Sequence, residues 1–263
     1  MSTTTLAPDL SPHTPLARQQ MLVIWQHPRS RAMESVALLE RSPSGYALRY
    51  LRRSRDVHEF RPLLGFADLG RAYHSSHLFP LFAGRVMSAR RPDYADYLQA
   101  LDLPPEAGPW EQLARSEGSQ VTDALQVFPL PVLVGDQWHC RFLVHGTRHV
   151  PAAETSKAWN PDVEQHLADL RPGDPLLLRD DPDNAINPAA VVTCDRAQHA
   201  LGWVPNFLVD HVAALRCSGD LRARAATVNG PDTPGHLRLA VELMGSAPDD
   251  YRPFGTEGYQ PLA

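Results

Sequence analysis

The stretch from Leu176 to Asn206 constrains what this chain can fold into more than any other part of it. Three apolar runs, Leu176 to Leu178, Ala189 to Thr193 and Ala200 to Val204, are separated by turn-forming residues. This spacing predicts three short strands anchored in a core. Between the first two runs, Asp180, Asp181, Asp183, Asn184 and Asn187 crowd into eight residues. A loop tethered at both ends by buried strands holds its polar groups rigidly towards solvent, which suits binding. Asn and Asp also bond nearby backbone in Asx turns, so the same residues can serve simply to shape a tight connection.

The surroundings extend the pattern. Trp138, Cys140, Phe142 and Val144 alternate with His139, Arg141 and Leu143 as a half-buried strand would, leading into His145-Gly146-Thr147-Arg148-His149. Val163, Leu167 and Leu170 line one helical face behind an Asn160-Pro161 start, and Pro172-Gly173 ends it. After Pro205, Leu208, Val212 and Leu215 repeat at helical spacing until Gly219. Leu221 to Val228 and His236 to Met244 alternate as two strands about an Asn229-Gly230-Pro231-Asp232 turn. The order strand, helix, three strands, helix, two strands is consistent with a closed six-stranded barrel carrying two helices.

This order resembles the HIRAN domain, a small β-barrel known from DNA-repair ATPases and short bacterial proteins. The residues that carry the resemblance are Gly146 and Arg148, Leu170 with Gly173 and Asp174, the Asp181-Pro182-Asp183-Asn184 loop, Ala190, and Gly202-Trp203-Val204-Pro205. Together they run from about Trp138 to Gly245, under half the chain. The resemblance implies an OB-like barrel, a fold that grips single-stranded nucleic acid on a strand face and adjoining loops. It also implies capture of a single-stranded DNA 3′ end, in DNA repair or the processing of stalled replication. On that basis Arg148 meets a phosphate or terminal base, and Arg148, His149, Asn184 and Asn187 form the pocket. Trp203, Asn206 and His236 complete the candidate set. Three positions depart from the family pattern: Ile186 stands where a stacking Tyr is common, Asn187 replaces an acidic residue, and Asn206 replaces a basic one. The amide oxygen of Asn187 still accepts a hydrogen bond, without the charge.

Each candidate has a structural alternative. Arg148 at a strand end could pair with a carboxylate, Trp203 beside Gly202 could be core packing, and His149 and His236 could be ordinary surface histidines.

The preceding half reads differently. Met1 to Gln20 is Thr- and Pro-rich and is expected to be a disordered tail. Met21 to Gln26, Ser35 to Leu39 and Tyr46 to Leu51 predict an antiparallel meander with a turn at Ser42-Pro43-Ser44-Gly45. Arg49, Arg52, Arg53 and Arg55 then suggest either phosphate binding or, more simply, a solvated basic rim. Leu78, Leu81, Phe82 and Val86 predict a helix from His77, limited at its start by Pro80. Tyr94 to Leu101 and the run after Pro109 predict two more. Leu125 to Val132, with two prolines, reads as an extended connector. A fainter resemblance links Leu78 to Phe82 and the strand before it to the N-terminal subdomain of HipA-type kinases. No kinase motif accompanies it, so it implies a partner-docking module only.

The expected class is therefore α+β. Residues 21–134 form a small antiparallel sheet with short helices, residues 135–245 the OB-like barrel, and residues 246–263 a loose polar tail. A net charge of −5, from 25 basic and 30 acidic residues, is no footprint for wrapping long nucleic acid. Residues 138–245 hold ten basic and thirteen acidic residues, a net −3. A binder of one strand end needs few phosphate contacts, so local Arg placement can outweigh that total. Three cysteines are too few for a disulfide framework, and no apolar run reaches membrane-spanning length, which predicts a soluble cytoplasmic protein.

No nucleophile elbow, HExxH or Walker loop occurs, and no catalytic residue or cofactor is expected. A zinc site from His139, Cys140, His145 and His149 is disfavoured because an alternating strand points His139 and Cys140 to opposite faces. The 181–192 loop lacks the Gly and Glu of an EF-hand. The alternative to end binding is a non-enzymatic adaptor that docks a protein partner through residues 21–134.

Overall fold

The computed structural model describes residues 19–120, 124–135, 137–150, 162–217, 219–246, 248 and 251–263. The disorder expected for the first residues and the helix start expected at Asn160-Pro161 fall outside that set, apart from Gln19 and Gln20.

The first sheet is a five-stranded antiparallel sheet. Strands β1 (Gln19–Gln26), β2 (Met33–Ser42) and β3 (Gly45–Tyr50) form the expected meander. The Ser42 to Gly45 turn closes β2 onto β3, and Gly45 has a φ of +117°, which favours glycine. A short strand β4 (Tyr73–Ser75) extends the sheet beyond β3. Helices α1 (Pro80–Ala83), α2 (Tyr94–Ala100) and α3 (Pro109–Ser116) follow. The helix expected from His77 is thus only the single turn α1, because Pro80 supplies a start but no donor to anything before it. The expected connector is instead paired backbone. Strand β5 (Leu125–Pro129) lies antiparallel to β1, Val127 opposite Val23, and its prolines sit at its end and beyond it.

The second sheet is antiparallel with seven strands, and it curls into a half-barrel. Strands β6 (Val132–Val134) and β7 (Gln137–Leu143) form a hairpin. Then come α4 (Asp162–Asp169), β8 (Pro175–Asp180), β9 (Val191–Cys194), β10 (Ala200–Trp203), α5 (Val209–Arg216), β11 (Arg222–Val228) and β12 (Leu239–Ser246). The strand order is β10-β9-β8-β11-β12-β7-β6. The expected six strands and two helices are present, with β6 added. Closure differs from expectation: β10 meets the end of β7 through one bridge, His145 with Trp203, rather than a ladder. The two backbone bonds of that bridge measure 2.9 and 2.8 Å. His236 lies in a short 3-10 helix, Gly235–Leu237, ahead of β12 and not on it.

The two sheets share a core. In β1, Met21 and Val23 face one cluster, with Phe66, Phe82, Trp110 and Leu113, while Leu22 and Ile24 face the other. That second cluster contains Phe128, Trp138, Phe142, Leu201, Leu208 and Val241, so the first sheet is buried on both faces. Near-continuous apolar runs such as MLVIW are what such a strand requires. A third cluster packs Leu98, Leu101 and Leu103 from the α2 region onto Leu143 and Ala240 on the outside of the curl.

Of the expected loose tail, residues 251–263 are held in place. Phe254 is buried in the shared core, Leu51 bridges Pro261, and the Leu262 N–H donates to the Tyr50 carbonyl at 2.8 Å. The composition is polar, but Tyr251, Phe254 and Tyr259 provide enough apolar area to fold the segment back. Among the described residues no helix is long and apolar enough to cross a membrane.

Candidate nucleic-acid interface

The loop between β8 and β9 is built by its own carboxamides. Asn184 Oδ1 accepts the backbone N–H groups of Ile186 (3.0 Å) and Asn187 (3.1 Å), and Asn187 Oδ1 accepts that of Ala189 (3.0 Å). The side-chain amide of Asn184 donates to Asp181 Oδ2 at 2.9 Å, and that of Asn187 donates to Asn206 Oδ1 at 3.2 Å. These are Asx turns in series. Both carbonyl oxygens are occupied in shaping the loop, and the loop's most exposed large side chain is Ile186.

Trp203 ties this loop to the 145–149 turn. Its indole N–H donates to Asp181 Oδ2 at 2.9 Å, so one oxygen receives both the indole and the Asn184 amide. The benzenoid edge of the same ring lies on Gly146, where an added Cβ would fall 2.8 Å from Cε3. Gly202 is as tightly placed: with φ of +144°, a Cβ there would lie 2.5 Å from a Val144 methyl and 2.6 Å from the His145 carbonyl. The Gly-x-Arg and Gly-Trp motifs are therefore two halves of one contact. Trp203 is half-buried and packs against the shared core, so the packing role expected as its alternative is realised.

Beyond Gly146 the chain makes a 3-10 turn, Thr147–His149, which presents Arg148 and His149 to solvent. The Arg148 guanidinium lies over Gly235, close enough that a Cβ there would meet Nε at 2.6 Å. Among the described residues no carboxylate pairs with Arg148, so the ion pair weighed as its alternative is not formed there. His236, next to Gly235, has its pKa lowered, chiefly by burial, while the Glu117 carboxylate opposes that shift and His145 and Arg148 add to it. Glu117 is the anionic centre of this group. It caps α3 in a left-handed conformation (φ 56°) and is almost fully buried. Its Oε1 accepts the Leu143 N–H at 2.8 Å, and Oε2 faces His145 Nε2 at 3.4 Å.

The candidate residues thus fall into two groups at the two ends of one indole. Asn184, Asn187 and Asn206 join Asp181 at its N–H end; Arg148 and His236 join His145 and Glu117 on the Gly146 side. His149 is exposed beside Arg148. Asp181, His145 and Glu117 are not among the residues expected to bind: Asp181 enters the sequence reading only as part of its loop, and His145 only in a disfavoured zinc set. Asp181 was one of several aspartates in a polar loop, and only the distant Trp203 distinguishes it. Glu117 gave no signal, since its role depends on a helix end meeting a strand 26 residues later. Chemically, the surface offers a guanidinium that is unpaired among the described residues, exposed imidazoles and a half-buried indole beside a rigid loop, suited to a phosphate and a stacked base.

No protein-family model matches the chain, and no curated protein matches it. Two solved structures resemble it in part. A Lactobacillus plantarum protein from a structural genomics consortium aligns at 20% identity and a TM-score of 0.32, covering 40% of this chain and 89% of that one. The HIRAN domain of human HLTF aligns at 12% identity and a TM-score of 0.27, covering 43% and 84%. At these TM-scores neither neighbour bears on what the surface binds.

Proposed function

We propose that the Trp203 end of the curled sheet binds a single-stranded nucleic-acid terminus, a DNA 3′ end in the first instance, in repair or in the processing of stalled replication. The observation that supports it most is the convergence of Arg148, unpaired among the described residues, with Trp203 and the 181–206 network, residues drawn from three separate stretches of sequence. In this reading Arg148 and His149 meet the terminal phosphates, His236 and Ile186 flank the base, and Asn184, Asn187 and Asn206 hold the loop that shapes the site. The carboxamides act by position, since their carbonyls are already bonded. One guanidinium implies few phosphate contacts and a shallow salt dependence.

The test is a fluorescence titration of the whole chain with short labelled oligonucleotides ending in a 3′-hydroxyl or a 3′-phosphate. Preference for the hydroxyl end, with about tenfold weaker binding for Arg148→Ala, is the expected result. Equal binding of both ends removes end recognition. Absence of binding removes the nucleic-acid reading and leaves a protein-docking role for residues 21–134.

A further inference from the structure

Two places among the described residues bring three ligand-type side chains to a common point: His27, His58 and Glu59, and His166, Asp195 and His199. Their hydrogen bonds separate them. His27 Nδ1 accepts the backbone N–H groups of Arg29 (3.2 Å) and Ser30 (3.1 Å). The ring proton therefore sits on Nε2, the atom that faces Glu59 at 3.3 Å. A metal at Nε2 would require an imidazolate, and Glu59 is already paired with Arg29. That group is an ion-paired hydrogen-bond cluster.

The second group is free of such a block. Asp195 follows β9 directly and His199 precedes β10, and the turn between them is held by two backbone bonds, Asp195 N–H to His199 carbonyl (3.1 Å) and Gln198 N–H to Asp195 carbonyl (3.1 Å). Asp195 Oδ1 accepts the His199 backbone N–H at 2.8 Å, which fixes the carboxylate and leaves Oδ2 aimed at both rings. Oδ2 lies 2.9 Å from His199 Nδ1 and 3.8 Å from His166 Nδ1, the latter reaching across from α4. With zinc–ligand bonds of about 2.0–2.1 Å, the corners of a tetrahedral site lie about 3.3 Å apart. The two separations bracket that value. His199 is half-exposed, and His166 and Asp195 are partly so, which leaves room for a water ligand.

We propose that His166, Asp195 and His199 form a site for a divalent transition-metal ion of the zinc class, with water as fourth ligand, tying α4 to the β9–β10 turn. Two imidazoles and one carboxylate favour such ions over magnesium or calcium. The rings are stacked, 3.9 Å between centroids and 11° apart in plane, and parallel rings cannot both hold one ion in plane. His199, the more exposed, tips about its Cβ–Cγ bond on binding, and Nδ1 gives up its hydrogen bond to Asp195 to face the ion, leaving the ring N–H at Nε2. The site lies at the opposite end of β10 from Trp203 and is independent of nucleic-acid binding.

The experiment uses the untagged whole chain, stripped with a chelator and titrated with Zn²⁺ by calorimetry. One equivalent per chain is expected, with a rise in thermal midpoint that follows the metal concentration. His199→Ala and His166→Gln each weaken binding by about tenfold or more, while a His27→Gln, His58→Gln double variant binds as the wild type does. Because His199 is half-exposed, its variant should retain the wild-type circular dichroism spectrum, and nitrogen NMR of the wild-type imidazoles reads the ring-nitrogen change directly. No binding by the wild type, unchanged binding in His199→Ala, or loss in the double variant overturns the proposal.

Discussion

Arg41, Arg49, Arg53 and Arg52 on and after the first sheet each meet a carboxylate, namely Glu111, Glu40, Glu34 and Glu257, whereas among the described residues the exposed Arg55 beside them and Arg148 at the end of the second sheet meet none. The Glu40 carboxylate is almost buried and holds Arg49 at 2.6 Å, with Gln20 donating to the same carboxyl group. A buried carboxylate needs such partners, so Arg49 belongs to the fold. Density of positive charge in the sequence therefore points away from the candidate site. A cation that is unpaired among the described residues and set beside an indole is the more informative feature.

The sheets differ at their surfaces yet share an interior, and the largest expected effect tests that. Phe128 lies in the shared cluster with its ring 4.7 Å from that of Phe207. Phe128→Ala is expected to cost about 3–5 kcal/mol, with both sheets still unfolding in one urea transition. Two separated transitions would show the regions to be independent.

Next comes Gly202→Ala, which places a methyl against Val144 and His145 in a left-handed backbone region. A loss of about 2–4 kcal/mol in chemical denaturation is expected, with fast hydrogen exchange at the His145 and Trp203 amides. Full protection of those amides would mean that the curl is held elsewhere.

A pH effect follows. His211 is pushed down to about 4 by burial, and its Nδ1 is hydrogen-bonded with the Tyr251 hydroxyl beside Phe254. The unfolded chain, with an ordinary value of 6.5, takes up the proton first as pH falls. Stability from this group is complete above that value, declines as pH drops towards 4, and changes no further below it. His211→Gln should flatten that part of a stability–pH curve; an unchanged slope would place the acid sensitivity in other groups.

The smallest effect sharpens the contrast between arginines. Arg52 and Glu257 are well exposed, so Glu257→Gln should shift stability by less than about 0.5 kcal/mol. Arg52→Ala should leave oligonucleotide affinity where it was. A drop matching that of Arg148→Ala would return the basic rim to the binding surface.

The meander, the strands flanking the Asp/Asn loop and the helices α2, α3 and α5 were legible because periodicity and turn residues are local signals. The burial of β1 on both faces was legible only as an apolar run, since partners as distant as Phe128 and Leu208 decide which face is which. The site divides in the same way. Arg148 and Trp203 stand in recognisable motifs, and so does the Asn184 loop, but their meeting depends on Gly146 lying flat on an indole 57 residues further along. The carboxamides illustrate the limit: the sequence shows that Asn184 and Asn187 are rich in hydrogen-bonding capacity, and only the fold shows that it is directed inward. Residues 251–263 follow their three aromatic side chains, which pack on the shared core, and not their polar average composition.

That tail also changes what the edge of β3 can do. Strand β4 covers its first half through Tyr46, Ala47 and Leu48. The second half, at Tyr50 and Leu51, is met by Gln260, Pro261 and Leu262, with Arg52 donating to the Gln260 carbonyl at 2.9 Å. Without that strap, bare backbone donors and acceptors would flank an apolar strand and offer a template for pairing with another molecule. Residues 260–262 thus shield that margin, so that the sheet ends in backbone already satisfied from within the same chain.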